Sequence, residues 1–428
     1  MGLNPAGITK FERESHYVGF LFSFKPEDII MIRIINRYTT IIILVIGCYL
    51  TVAAQRRQIG EARTIIKSGK NYDKAELLTT NLLKDSANRD NKRVHEIWLL
   101  SVQKQYEQAN ERFYMKKQQD TAQFFSLVRR MFTIAFRLDS LDARPDRKGR
   151  VAPDLRQSVS RDMAGYRPNL FSGGSYYLRK SDYPRAYDYF ETYIDCARQP
   201  LFTTQHFDST DTRLPEAAYW ATYTAYRMQN PVLALRYHKL ALLDSVKAEY
   251  TYQYIAEAWR ALSDDSMYVA TLRDGFTRFP KSTYFFPRLM DSYSQGGHYD
   301  KALKTADEAL AIDSLNEFFL FAKSVVLLNM EQYAQSLEYT NRLIAMNTKM
   351  ADVYYNAGRA YLNIALRMDS RRHKKQIRKM YQLALQPLEH YRQLAPTEKD
   401  KWGPALYRVY FNLNMGKQFD EIDKILKK

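Results

Sequence analysis

The sequence has little of what breaks helices, crosslinks chains or builds a catalytic centre. Across 428 residues there are only 16 Gly and 14 Pro. That is too few for many short strands joined by tight turns. Two cysteines, Cys48 and Cys196, exclude a disulfide framework. The seven histidines form no H-x-x-x-H pair, and no C-x-x-C occurs. Neither a G-x-S-x-G elbow nor a Gly-rich phosphate loop is present. The Gly pair beside serine in "SGGSYY", 172–177, falls where helix packing asks for a small residue. His206, Asp208 and Asp211 share the polar stretch "HFDSTD" and read as a surface loop, not a metal site. Cys196 reads as a buried filler. The reading is therefore non-enzymatic, with no cofactor and no metal.

Long apolar runs are also scarce, and the run "TTIIILVIGCYLTVAA", 39–54, stands out. A spanning helix needs about 20 residues, so this run is short for one. It follows Arg33 and Arg37 and ends in Val52-Ala53-Ala54, the pattern of a secretory signal peptide. Met31 then reads as the true start. Two rival readings stay open: an uncleaved signal anchor, and a lipoprotein box at "VIGC" with Cys48 as the lipidated residue. Each places the chain outside the cytoplasm, in the periplasm, at the outer membrane or anchored in a membrane.

What the chain does have is positive charge and tyrosine. The net charge is +17 and there are 33 Tyr. Residues 1–54 hold five Lys/Arg and four Asp/Glu, so the basic balance belongs to the remainder. A basic chain suits anionic lipid, acidic proteins or nucleic acid. The densest run is "RRHKKQIRK", 371–379. Its Arg371, Arg372, Lys374 and Lys375 read as a solvated face or as an anion contact, with anionic lipid as the candidate. The signal pattern argues against nucleic acid, and so do aromatics that fall at packing positions.

Small residues recur along the chain. "HYDKALKTADEALAIDS" carries Ala302, and "QYAQSLEYTNRLIAMNT" carries Ser336, 34 residues later. Upstream, "SMYVATLRDGFTRFP" carries Ala270 and "PVLALRYHKLALLDS" carries Ala234. "DYPRAYDYFETYIDCA" carries Ala186 and "NYDKAELLTTNLLKDS" carries Ala75. Gly174, Ala258 and Ser324 stand twelve residues before Ala186, Ala270 and Ser336. Self-similarity near 34 residues, in helical patterns joined by short turns, implies stacked helix–turn–helix units. Small side chains let the two helices of a unit approach closely. Leu303, Leu310 and Ile312 are then expected to cover the next unit.

These segments resemble tetratricopeptide repeats. Gly174, Tyr177, Ala186, Phe190 and Tyr193 match that family's spaced positions. So do Gly358 and Tyr361, then Ala384, Leu388, Tyr391 and Pro396 after an insertion. Met290 and His238 depart from the pattern. The resemblance covers most of 59–428, strongly over 280–400 and weakly over 88–168. It implies an all-α helix–turn–helix solenoid, a TPR-like superhelix, after the N-terminal segment. The expected divisions are 1–54, the signal or anchor; 55–145, degenerate helical repeats; and 146–428, the array with a C-terminal capping helix. Two insertions interrupt it, 198–214 and 367–380.

In that family the first helix of each unit lines a concave groove. Counting from the small positions, the resemblance implies a groove of Tyr252, Trp259, Tyr284, Asp291, Phe318, Phe321, Tyr355 and Arg359. Aromatic and Arg side chains are enriched at binding hot spots. The Lys/Asn set that clamps a peptide carboxylate is absent there. The expected partner is a peptide or loop of another protein, which makes the chain an envelope scaffold. The alternative is a surface carbohydrate-binding protein, suggested by the Tyr and Trp content.

Overall fold

The computed structural model describes residues 37–39 and 55–427. The apolar run from residue 40 to 54, and Cys48 with it, lies outside the described residues. Among the described residues there is no strand, and no helix is long and apolar enough to cross a membrane. The chain divides into two compact units between Val159 and Ser160.

The first unit contains α1 (helical over 55–68), α2 (Tyr72–Lys84), α3 (Lys92–Tyr114) and α4 (Thr121–Asp142). The third and fourth helices run 23 and 22 residues, far longer than one arm of a 34-residue unit. That length explains the weak repeat pattern there. Ala75 is fully buried with Ala62 and Ile97, as a small packing residue should be. Glu76 ties three helices together. It accepts from Trp98 Nε1 at 3.2 Å, Gln105 Nε2 at 2.7 Å and Arg130 Nη1 at 2.8 Å.

The helix α5 (Arg156–Tyr166) precedes the array. Seven helical hairpins follow among the described residues. They are α6/α7 (Pro168–Arg179, Tyr183–Asp195); α9 (Leu214–Arg227) with α10/α11 (Pro231–Arg236, His238–Ala241); α12/α13 (Ala248–Ala261, Asp265–Arg278); α14/α15 (Phe285–Gln295, Tyr299–Ile312); α16/α17 (Glu317–Asn329, Tyr333–Ala345); α18/α19 (Ala351–Arg367, Lys374–Leu394); and α20/α21 (Lys399–Leu413, Gly416–Leu426). Each hairpin packs on the next, so buried clusters follow one another along the unit. This is how an array without a central core is stabilised.

Local sequence explains the elements. Asp182, Asp264 and Asn316 cap α7, α13 and α16, each accepting backbone N–H bonds of the first turn. The turns inside the hairpins reverse through one left-handed residue: Ser181, Gln229, Ser263, Gly297 and Glu331 have φ of 57°, 56°, 57°, 68° and 61°. The last four are spaced 34 apart.

The small residues lie where the paired helices meet. Ala186, Ala234, Ala302 and Ser336 are buried, and Ser336 Oγ donates to the Ser324 carbonyl at 2.8 Å across its hairpin. A Cβ on Gly174 would meet the Phe190 ring at 2.8 Å, and one on Gly358 would meet Leu388 at 2.5 Å. Ala302, Ala306 and Ala309 are all fully buried. Leu303 and Leu310 pack as expected, but Ile312 stays 49% exposed at the end of α15, beside Phe318 and Phe319 of the next hairpin. Ala270 is also exposed, so it is not a packing position.

Both insertions are structured. Residues 200–205 form a 3₁₀ turn and Phe207–Thr210 a short helix, α8, with Leu201 and Phe202 buried. Asp211 is not a loop carboxylate on the surface. It pairs with the buried Arg167 at 2.6 Å and accepts from Tyr193 Oη at 2.7 Å. The Arg167 guanidinium lies between the rings of Tyr193 and Phe207, 3.8 and 4.1 Å from their centroids. The second insertion lengthens one hairpin, with helices of 17 and 21 residues against 13 and 13 in the hairpin before.

Candidate functional site

The left-handed turn residues fix the repeat register. Counting back seven residues from each gives the first-helix contact positions: Gly174, Thr222, Ala256, Met290 and Ser324. Counting on five gives Ala186, Ala234, Tyr268, Ala302 and Ser336. From Thr222 onward both series step by 34, and Gly358 continues the first. The contact position of α12 is therefore Ala256, fully buried, two residues before Ala258. Its partner on α13 is Tyr268, not Ala270. A tyrosine at a position otherwise held by Ala or Ser conceals this unit from a search for small residues.

The shift moves the face that α12 presents. Tyr252 is only 6% exposed and its ring packs against Phe279 and Phe285, so it is core. The equivalent outward residue is Tyr250, which is 53% exposed. Glu257 takes the place expected for Trp259, which is half-buried.

With the register corrected, the first helices of three consecutive hairpins present one aromatic and arginine-rich strip. On α9 it contains Trp220, Tyr223, Tyr226 and Arg227; on α12, Tyr250, Tyr254, Glu257 and Arg260; on α14, Arg288 and Asp291, with Tyr284 just before it. The rings interlock. Tyr226 stacks on Tyr254 with centroids 4.8 Å apart and planes at 26°. Tyr223 lies 5.6 Å from Tyr254, and Trp220 lies 5.9 Å from Tyr223, edge to face. Arg227 donates to Tyr223 Oη at 2.7 Å and covers the Tyr183 ring at 4.6 Å. Two clefts open along the strip. One of about 570 Å³ is lined by Tyr226, Arg227, Pro231, Glu257 and Arg260. The other, of about 1110 Å³, is lined by Arg260, Tyr268, Arg288, Asp291, Tyr293 and Lys301. Arg260 borders both.

Charge in the strip is held in place. Tyr284 Oη donates to Glu257 at 2.6 Å, and Arg260 and Arg288 approach the same carboxylate at 2.5 and 3.8 Å. Arg288 also stacks over the Tyr284 ring at 3.8 Å. Burial, with hydrogen bonds to Glu257 and Tyr219 respectively, raises the phenols of Tyr284 and Tyr254 well above their usual range. Both stay neutral and keep their hydroxyls as donors and acceptors. The chemistry offered is ring stacking and cation contact, without a nucleophile–base pair. Among the described residues no group of three or more His, Cys, Asp or Glu could hold a metal.

The eight residues implied by the resemblance have different surroundings. Asp291 lines the larger cleft and Tyr284 borders it through Glu257 and Arg288. Phe318 is exposed in a separate apolar cleft of about 680 Å³ with Pro280, Phe286 and Ile312. Phe321 is half-buried against Leu320, Leu343 and Val353. Tyr355 packs 5.0 Å from Tyr391, with the exposed Arg359 over it at 5.7 Å. Sequence reasoning misses Trp220, Tyr223, Tyr226 and Tyr254. The signal for the first three is present in "YWATYTAY", 219–226, where Trp220, Tyr223 and Tyr226 fall at i, i+3 and i+6.

The four basic residues of the second insertion come together in space. Arg371 and Arg372 sit in the tip of the α18/α19 hairpin, and Lys374 and Lys375 begin α19; all four are exposed.

No protein-family model matches the chain, and no curated protein does. Solved structures do resemble it. The C-terminal part of a TPR repeat-containing protein from Cytophaga hutchinsonii is 12% identical, over 59% of this chain and 93% of that one, with a TM-score of 0.41. MamA from Desulfovibrio magneticus is 15% identical, over 42% and 95%, with a TM-score of 0.34. YrrB, a TPR protein with an unusual peptide-binding site, is 16% identical, over 45% and 92%, with a TM-score of 0.33. Identities and scores this low add nothing about what this chain binds. The helix pairs, their 34-residue register and their close contacts establish the fold by themselves: an all-α array of tetratricopeptide-like hairpins.

Proposed function

We propose that the chain is a non-enzymatic scaffold that holds an extended segment of another protein across the strip on α9, α12 and α14. One observation carries this reading. Tyr226, Arg227, Tyr250 and Arg260 are exposed beside half-buried Trp220, Tyr223 and Tyr254 on the first helices of consecutive hairpins. Rings of this size at a solvated surface are favourable when a partner covers them, and Tyr, Trp and Arg are the usual anchors. A strip across three hairpins suits an extended segment better than a compact ligand.

The apolar run 39–54 supports placing this scaffold outside the cytoplasm of a bacterium, in the periplasm or at the outer membrane. Tyr226→Ala with Arg227→Ala tests the binding reading, because both side chains are exposed and the fold should survive. Recovery of the cross-linked partner from cells should fall at least tenfold with helicity unchanged. Undiminished recovery contradicts the proposal. Stacked tyrosines also suit sugar rings, so calorimetry against a polysaccharide panel separates the two readings. Heat that the double variant abolishes replaces the protein partner with a glycan.

A further inference from the structure

The second insertion is more than a longer turn. Gly358 and Ala384 are 26 residues apart where the other hairpins place 12 between the equivalent positions. Set against α16 and α17, α18 gains four residues beyond its contact position and α19 gains seven before its own. At 1.5 Å per residue this tip projects beyond its neighbours by about 6–10 Å. Six cations lie there, all exposed: Arg371, Arg372, Lys374, Lys375, Arg378 and Lys379. Among the described residues the one side-chain ion pair of the six is Arg372 with Asp369 at 3.8 Å, and that carboxylate also accepts from the Arg371 and Arg372 backbone N–H groups.

The placement does not serve the helix. The first turn of a helix favours acids, because its N-terminus carries partial positive charge. Here α19 starts with two lysines, no acid and no side-chain cap. The cations also do not share one face. They occupy the turn and two adjacent faces of α19, since 374/378 and 375/379 are each spaced i, i+4. Such a tip fits a surface into which it is pushed, with anions all round it. A strand lying along one face would meet only part of the set.

Apolar groups accompany the charge. Leu366, one residue before the end of α18, is 53% exposed, and Phe411, two before the end of α20, is 64% exposed. Both line one cleft of about 630 Å³ with Tyr381 and Tyr407. The helices α18 and α20 are both first helices, so their C-terminal ends share the edge from which the tip projects. A bilayer interface takes up both kinds of group, cations at the headgroups and Leu or Phe at the acyl boundary.

We infer that the α18/α19 tip, with Leu366 and Phe411, docks the array on an anionic phospholipid surface. This surface is separate from the strip on α9, α12 and α14, so one hairpin faces lipid while others hold a partner.

The full chain as purified would be floated with mixed phosphatidylglycerol/phosphatidylcholine vesicles and with phosphatidylcholine vesicles alone. Arg371→Glu, Arg372→Glu, Lys374→Glu and Lys375→Glu together should lower partition onto the anionic vesicles by at least about a hundredfold. Raising salt well above about 0.1 M should do the same to the wild type. Phe411→Ser with Leu366→Ser should weaken the binding that survives salt. Circular dichroism confirms that each variant is folded. Equal binding of wild type and charge variant to both vesicles overturns the inference, because the N-terminal apolar run is then the anchor. So does retention of an oligonucleotide or a polyglutamate peptide by the tip cations without vesicle binding.

Discussion

Gly358→Ala is the most demanding test of the hairpin contact. In most helix interiors this change stabilises by about 1 kcal/mol, because Ala is the better helix former. Here the added methyl would stand 2.5 Å from Cγ and Cδ2 of Leu388, which is fully buried against the α18–α20 cluster. An ordinary carbon contact is about 3.5–4.0 Å. The two helices must part by roughly 1 Å, or Leu388 must leave its rotamer, and overpacking of this kind costs about 1–3 kcal/mol. The net effect is a destabilisation of up to about 2 kcal/mol where propensity alone predicts a gain. Leu388→Ala should cost about 2–5 kcal/mol by itself. In the double variant the new methyl enters space vacated by Leu388, so its cost should fall below the sum by about 1–3 kcal/mol. Urea titration followed by helical circular dichroism reads the global change. Amide exchange in α18 and α19 reads the local one, because repeat arrays open locally. A stabilised single variant, or costs that add within about 0.5 kcal/mol, would refute the close-contact argument.

Two further outcomes follow from the insertion and the turns. Asp211 is partly buried, which raises its carboxyl pKa, but bonds from Tyr193, the Arg213 amide and Arg167 outweigh burial and hold it below the usual value. Its contribution is therefore complete above the unfolded carboxylate range near pH 4 and is lost as pH falls through the lower folded value. Asp211→Asn should cost about 3–5 kcal/mol at neutral pH by leaving Arg167 uncompensated, and should flatten the acid side of the stability profile. Ser263 holds a left-handed φ of 57°, so Ser263→Gly should stabilise the fold by up to about 1 kcal/mol, read as a rise in the melting temperature.

Much of the architecture was legible because hairpin contact is a demand on side-chain size. Ala186, Ala302, Ser336, Gly174 and Gly358 show it directly. The demand fails to announce itself where a larger residue is tolerated, and Met290, Thr222 and Tyr268 are such places. Tyr268 conceals the register of α12, so a count from Ala258 lands on buried Tyr252 where exposed Tyr250 is the outward residue. The break of one helix into α10 and α11 at Tyr237 carries no Pro or Gly to signal it. The Arg167–Asp211 pair joins residues 44 apart, a relation that no local spacing encodes. The strip itself depended on the stacking of three hairpins, since Arg260 borders two clefts only once α9, α12 and α14 are in place.

If the first-helix strip meets another protein, a photo-reactive residue placed at position 226, in the strip, should capture it where one placed at position 246 does not. Val246 is 84% exposed in the link between two hairpins and lies outside the strip. Irradiation in cells should yield a discrete protein adduct from position 226 and none from position 246. Adducts of equal yield from both positions, or from 246 alone, would mean that the strip is not where a partner protein binds.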